Sequence, residues 1–405
     1  MRIHKGYHLT YCTNIHAGES WEAVRNNLVQ YFPVIKEKLS PDGPFGIGLR
    51  LSNQASVELM EGQNLSVFKS WLEANGLYVA IINGFPYGGF HGQVVKDAVH
   101  QPDWTTGERV EYTKRLARIL VELLPQGLDG GISTAPLSYK PWYQGNREKI
   151  KLAFRAATLH LAEVVEELIH LKVSTGKLIH LDIEPEPDGL LENTSELIDY
   201  FQHWLLPTGR RFLSDRLGIE LVEADEAIKN HVQLCYDVCH FALAFEAPQI
   251  VLDRLEEAGI RIGRIQISAA LKAMLPEAPE KREAVAQAFS AFSESTYLHQ
   301  VTEKDASGHL THYLDLPQAL ETLHQPGLRE WRTHFHVPVF LQEYGLLHST
   351  QDEIISILKM ARQHHLTSHL EVETYTWEVL PPDLKLELAA SIERELNWVL
   401  ERMQS

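Results

Sequence analysis

Cysteine is scarce in this chain: three in 405 residues, at Cys12, Cys235 and Cys239. An odd count with no metal-like or redox-like spacing excludes a disulfide framework and a cysteine zinc site, and it suits a reducing compartment. Basic charge is also in short supply. Lys and Arg total 37 against 54 Asp and Glu, a formal net charge of −17. A chain this acidic is poorly built to hold a phosphate backbone over a wide surface, so no nucleic-acid partner is expected. Long hydrophobic runs are missing too. No stretch approaches the about 18 apolar residues of a membrane span, and MRIHKGYHLTY lacks the apolar centre of a secretory signal. No internal repeat or low-complexity segment appears. These absences lead us to expect a cytoplasmic protein without membrane insertion.

What the chain does have is an alternation of short apolar runs and helical stripes. Strand-like runs are expected at Tyr7 to His16, Phe45 to Ser52, Leu77 to Gly84, Gly130 to Pro136 and Lys177 to Ile183. Two more follow at Val232 to His240 and Ile262 to Leu271. Between them lie apolar spacings of three and four, as in Trp21, Val24, Leu28, Phe32, Ile35 and Leu39 after the N-cap Ser20. Pro33 is expected to kink or split that first helix. An Ala-rich helix is expected from about Pro279 to Ser293. Regularity then breaks over 295–347, where Tyr297 to Leu316 reads as a hairpin. Two later segments compete for the eighth strand, Phe335 to Gly345 and His369 to Trp377. A clear helix precedes the second and another follows it, so His369 to Trp377 is the better choice. Strand then helix, repeated about eight times, predicts a (β/α)8 TIM barrel. The expectation is one barrel domain over 1–405, with an insertion at 295–347 before the last β/α unit, covering the barrel mouth.

The most informative stretch is KLIHLDIEPEPDG, from Lys177 to Gly189. Its apolar strand runs straight into Glu184, and Pro185 ends regular pairing one residue later. Glu186 and Asp188 read as residues of an acidic loop. In a barrel the carboxyl ends of the strands converge on one opening, where ligands bind. The end residues there would be Glu184, Asp237 with His240, Gln266 and Glu373. Acids and amides from different strands meeting in one mouth repel or stay unsatisfied without a shared partner. A divalent cation is the simplest one, with Mn²⁺ or Mg²⁺ better suited than Zn²⁺.

The strand-end Glu184, the Asp237-Val-Cys-His240 motif, the polar residue on the next strand and Glu373 resemble the xylose-isomerase-like barrels. That superfamily includes sugar phosphate isomerases and epimerases and also endonuclease IV. The resemblance implies a metal held by Glu184, Asp237, Gln266 and Glu373, with Gln266 standing where the pattern has histidine. HLTYCTNIHAGESW, NGFPYGGFHG, LDIEPEPDG, HFHVPVF and HLEVETYTWEVLP also resemble the EboE group of metabolite-traffic proteins, TIM barrels linked to secondary-metabolite clusters.

The function expected is a metal-dependent isomerase or epimerase of a sugar-like or polyol-like, possibly phosphorylated, metabolite. Glu184 and Glu373 would move the proton. His240, His16, Arg50, Asn83, Lys140, Trp142 and His336 would contact substrate, with Phe85 and Phe90 as walls and His91 also near. A non-catalytic carrier barrel is the first alternative, and Gln266 in place of histidine favours it. A glycoside hydrolase using Glu184 and Glu373 is the second.

Overall fold

The apolar runs become short parallel strands: β1 His8–Tyr11, β2 Phe45–Arg50, β3 Leu77–Asn83, β4 Gly130–Thr134, β5 Ile179–Ile183, β6 Val232–Asp237 and β7 Ile262–Ile267. The computed structural model describes residues 1–89, 95–292, 297–375 and 387–404, apart from the side chain of Pro279. Every residue of β2 to β7 is buried. Burial on both faces is what helices outside a parallel sheet and a filled interior impose.

A second, six-stranded antiparallel sheet follows. It comprises β8 Leu271–Met274, β9 Val301–Asp305, β10 Leu310–Tyr313, β11 Leu328–Thr333, β12 Glu343–Tyr344 and β13 Leu347–Ser349, in the order β10-β9-β11-β8-β13-β12. β9 and β10 form the hairpin expected near Asp305. The sheet takes in chain on both sides of 295–347. β14, His369–Val372, then pairs in parallel with β1 and β7. The eight-stranded sheet runs β1-β14-β7-β6-β5-β4-β3-β2, all parallel, and a Cys12–Gly48 bridge joins its two ends. The fold is a (β/α)8 barrel, with His369–Val372 rather than Phe335 to Gly345 as its eighth strand.

Four local expectations are corrected. Pro33 does not split its helix in two but lies inside one, Trp21–Leu39. Trp21, Val24, Leu28, Phe32 and Ile35 are buried on both sides of the proline, and packing of that stripe offsets the one lost backbone bond. The run expected to continue as strand to His240 stops at Asp237, whose side chain caps the helix Val238–Leu243 by accepting from the His240 N–H at 3.1 Å. The run to Leu271 is divided at Ser268–Ala270, where the chain leaves the barrel for the second sheet. The Ala-rich segment begins as a 3-10 turn and forms an α-helix only over Arg282–Ser290. Phe90, His91 and Trp377 lie outside the described residues. Among the described residues no helix is long and apolar enough to cross a membrane.

The barrel interior holds charge as well as hydrocarbon. Arg264 on β7 is fully buried and donates from Nε to Asp182 at 3.0 Å and from Nη1 to Glu371 at 3.1 Å. Its Nη2 reaches the Ile82 carbonyl at 3.1 Å. Two acids deep in the barrel therefore share one cation.

Candidate metal centre

One layer above, at the carboxyl end of the strands, three more acids meet. Glu184 leaves β5 with its N–H still bonded to Thr134, and Pro185 then stops the ladder. Asp237 is the last residue of β6. Glu373 follows β14, with its N–H on the Ile267 carbonyl at 3.1 Å. All three are buried, and an oxygen of each lies within 4.8 Å of an oxygen of the other two. Asn14 and Asn83 donate to Glu373 Oε1 at 2.8 and 3.0 Å, and Ser268 Oγ donates to Asp237 Oδ1 at 2.7 Å. Glu184 Oε2 and Asp237 Oδ2 are buried without a hydrogen-bond partner. Among the described residues no lysine or arginine forms an ion pair with any of the three acids.

Burial, then the charges of Asp237 and Glu186, push the Glu184 carboxyl well above the usual range. Burial, then Glu184 and Asp237, does the same to Glu373. Asp237 differs. Burial pushes it up, but His240, His336 and the Ser268 hydroxyl together hold it below the ordinary value. Such a set carries little negative charge unless a cation replaces its protons.

Three imidazoles stand beside the acids. His240 Nδ1 lies 3.0 Å from the Pro185 carbonyl, His336 Nδ1 3.0 Å from the Glu373 carbonyl, and His334 Nδ1 2.8 Å from Gln300 Oε1. Each of those oxygens only accepts, so each neutral ring carries its N–H on Nδ1 and a lone pair on Nε2. Those Nε2 atoms face one another, at 3.2 Å between His240 and His334 and 3.4 Å between His334 and His336. Burial lowers all three rings, His336 to about 4, with Asp237 opposing in His240 and His336. Neutral rings with N–H donated outward to carbonyls are the state in which imidazole binds a metal. Asp237 shares a ligand-sized group with His240 and His336, each atom within 4.8 Å of the others. The orphaned carboxylate oxygens and the oriented rings thus fit a divalent ion.

Glu184 and Glu373 line a cavity with an empty volume of about 630 Å³, counting its open mouth. Phe85, Val95, Val99 and Tyr375 wall it, and Tyr297, Gln300, His334 and His336 reach it from the chain around the second sheet. The acidic loop after Glu184 is buried rather than solvated. Glu186 lines the cavity 3.4 Å from His100 Nε2, and Asp188 pairs with His312 of β10 at 2.9 Å. The second sheet covers what would otherwise be surface.

Of the residues expected to contact substrate, Asn83, His240 and His336 line the cavity. His16, Arg50, Lys140 and Trp142 are held elsewhere. His16 bonds Tyr11 at 3.0 Å and stacks on Tyr31. Arg50 forks onto Glu19, with both bonds 3.0 Å. Lys140 bridges Glu192 and Glu196, and Trp142 donates to Asp97. Gln266 pairs in register with Asp237 across β6 and β7, but its amide does not hydrogen-bond the acids. Its Oε1 accepts from Cys235 Sγ at 2.7 Å, inside the barrel. Side chains on one face of a strand recur every second residue, and it is Ser268, one such step further along, that reaches Asp237. The imidazole missing at 266 comes instead from His240 and the His334-Phe-His336 segment. Asn14, His100, Glu186, His334 and Gln300 were not singled out beforehand. The HFH triplet was the one available signal. Glu184 and Glu373 bring one oxygen each within 4.8 Å of the other, nearer the about 5–5.5 Å of a retaining glycoside hydrolase than the about 6.5–9.5 Å of an inverting one.

No protein-family model and no curated protein matches the chain. Solved structures do resemble it. A D-tagatose 3-epimerase-like protein is 11% identical with a TM-score of 0.49, covering 98% of each chain. D-psicose 3-epimerase with D-tagatose, from Clostridium cellulolyticum H10, is 9% identical at 0.48, with 98% of each chain. The IolI protein with a bound zinc atom is 11% identical at 0.43, with 98% of each chain. At such identities a shared barrel does not by itself imply a shared reaction. What fold and site define here is a (β/α)8 barrel with a buried, histidine-flanked carboxylate triad at its mouth.

Proposed function

We propose that this protein is a divalent-metal-dependent isomerase or epimerase of a sugar-like or polyol-like metabolite. The observation that carries the reading is the triad of Glu184, Asp237 and Glu373, buried together with orphaned oxygens and no lysine or arginine paired to it among the described residues. The triad and the Nε2 of His336 would hold the ion, with His240 beside them. Three carboxylates with one imidazole suit Mn²⁺ or Mg²⁺, and a larger imidazole share would admit Zn²⁺. When bound, the ion would polarise a substrate carbonyl or hydroxyl oxygen.

The remaining chemistry belongs to the chain. Burial and mutual repulsion raise the proton affinity of Glu184 and Glu373, which suits a group that takes a proton from a carbon and returns it. Asn14 and Asn83 fix Glu373 Oε1, so its other oxygen is the one that reacts. Glu186 and His100 offer hydrogen bonds to hydroxyls, and the aromatic wall excludes water. The motifs resembling the EboE group support searching among secondary-metabolite precursors. The test is incubation with a panel of ketoses, aldoses and polyol-derived ketones in D₂O with Mn²⁺. Carbon-bound deuterium should appear with one substrate and vanish in Glu184→Gln and Glu373→Gln. A protein that binds no divalent ion would overturn the proposal.

A further inference from the structure

The strands that end at the mouth carry a second cluster at their other end. His180 is the second residue of β5 and His369 the first of β14. Each lies four residues before an acid of the triad, Glu184 and Glu373, or about 13 Å along an extended strand. Asp129, just before β4, joins them. One ligand atom from each of Asp129, His180 and His369 lies within 4.8 Å of those of the others.

Both rings are buried, and the Nε2 atoms of both lack a hydrogen-bond partner. Asp129 Oδ2 is 3.6 Å from His180 Nε2, and Asp129 Oδ1 is 3.4 Å from His369 Nε2. Those spacings are long for hydrogen bonds. They come from the two oxygens of one carboxylate, each turned toward one ring, so a cation between the three groups would draw them together to bonds of about 2.0–2.1 Å.

The surroundings set the His180 tautomer. Its Nδ1 faces Asp182 Oδ1 at 2.5 Å, and Asp182 is held by Arg264. A carboxylate on one imidazole nitrogen turns the other outward as a ligand. Space is reserved for this pair, since a Cβ at Gly263 would fall on the Asp182 carboxylate and one at Gly131 within 2.7 Å of the His180 ring. Asp129 is 33% exposed, so the fourth corner opens to water.

We infer that Asp129, His180 and His369 form a second cation site, for a zinc-class ion, at the amino end of the barrel. The ion ties the entry of β4 to β5 and to β14, the last strand to join the sheet. Two imidazoles and one carboxylate distinguish it chemically from the oxygen-rich mouth.

The test begins with Glu184→Gln/Glu373→Gln, which removes two of the mouth's three carboxylates; Zn²⁺ held by the imidazoles left there would not respond to Asp129→Asn, so failure here is separable from failure of the proposed reaction. That protein should take up one Zn²⁺ by titration, melt at a higher temperature with it, and show tetrahedral ligand-field bands with Co²⁺. His369→Gln changes a buried residue and risks the fold. Asp129→Asn, at a partly exposed position, is the safer variant, with its fold checked by circular dichroism. Added to the double variant, it should weaken Zn²⁺ binding by at least about 10-fold, the lower bound seen for a mere outer partner. No Zn²⁺ uptake by the double variant, or unchanged affinity with Asp129→Asn, would overturn the inference and leave an ion pair around a protonated His180.

Discussion

Two layers of acids lie one above the other inside this barrel, equally deep and differently balanced. In the lower, Asp182 and Glu371 share the guanidinium of Arg264, and the burial that opposes its charge is outweighed by the two carboxylates. In the upper, Glu184, Asp237 and Glu373 have, among the described residues, imidazoles that burial keeps largely neutral and only the more distant pull of Arg264 on Glu184. Depth therefore does not mark a site. Buried carboxyls without a cationic side-chain partner do, because their ionisation there costs stability that a bound ion can offset.

The contrast can be broken most directly at Arg264. Arg264→Met strands two buried acids, and urea unfolding should show a loss of about 3–5 kcal/mol. A loss under about 1 kcal/mol would mean the lower layer is balanced by something other than Arg264, and the comparison would fail. Next is the ion itself. Mn²⁺ at 100 times its Kd should stabilise the protein by about 2.7 kcal/mol, read as a rise in Tm that Glu184→Gln/Glu373→Gln abolishes.

Without divalent ions the same double variant should be more stable than the parent at pH 8, by about 1–2 kcal/mol, the scale of an unsatisfied buried group. The sign follows from linkage. Glu184 and Glu373 bind protons more tightly folded than unfolded, where their ordinary value is 4.5. The ion-free protein therefore loses stability as pH rises above that value, until the folded carboxyls have also ionised. Denaturant midpoints across pH should fall less steeply in the double variant. An identical slope would place the protons elsewhere. The smallest effect is expected at Gln266. Gln266→Met should change Mn²⁺ affinity by less than about threefold, or about 0.7 kcal/mol, since its amide serves Cys235. A larger loss by calorimetry would return Gln266 to the ligand set.

Much of the barrel was legible beforehand. Seven apolar runs separated by helical stripes became β1 to β7, and the eighth strand was correctly chosen by its flanking helices. Glu184, Asp237 and Glu373 were legible for the same reason, since a strand's periodicity and its proline or helix stop tell which end a side chain marks. The errors have physical causes as well. Gln266 was taken as a ligand from the resemblance; β7 does pair it with Asp237, but its Oε1 accepts from Cys235, a contact no nearby residue announces. Arg50 and Lys140 found nearby carboxylates, Glu19 for one and Glu192 and Glu196 for the other. Glu186 and Asp188 looked like solvated loop acids until the second sheet covered them.

The sequence by itself determined the barrel, the end of it that gathers acids, and three of the groups that meet there. Those are consequences of local pattern, and period and strand ends are written into adjacent residues. Only the tertiary structure decided which histidines complete the mouth, and that β5 and β14 bring His180 and His369 together at the opposite end. Those meetings join positions up to about half the chain apart, and barrel closure and packing of a second sheet set them rather than any nearby residue.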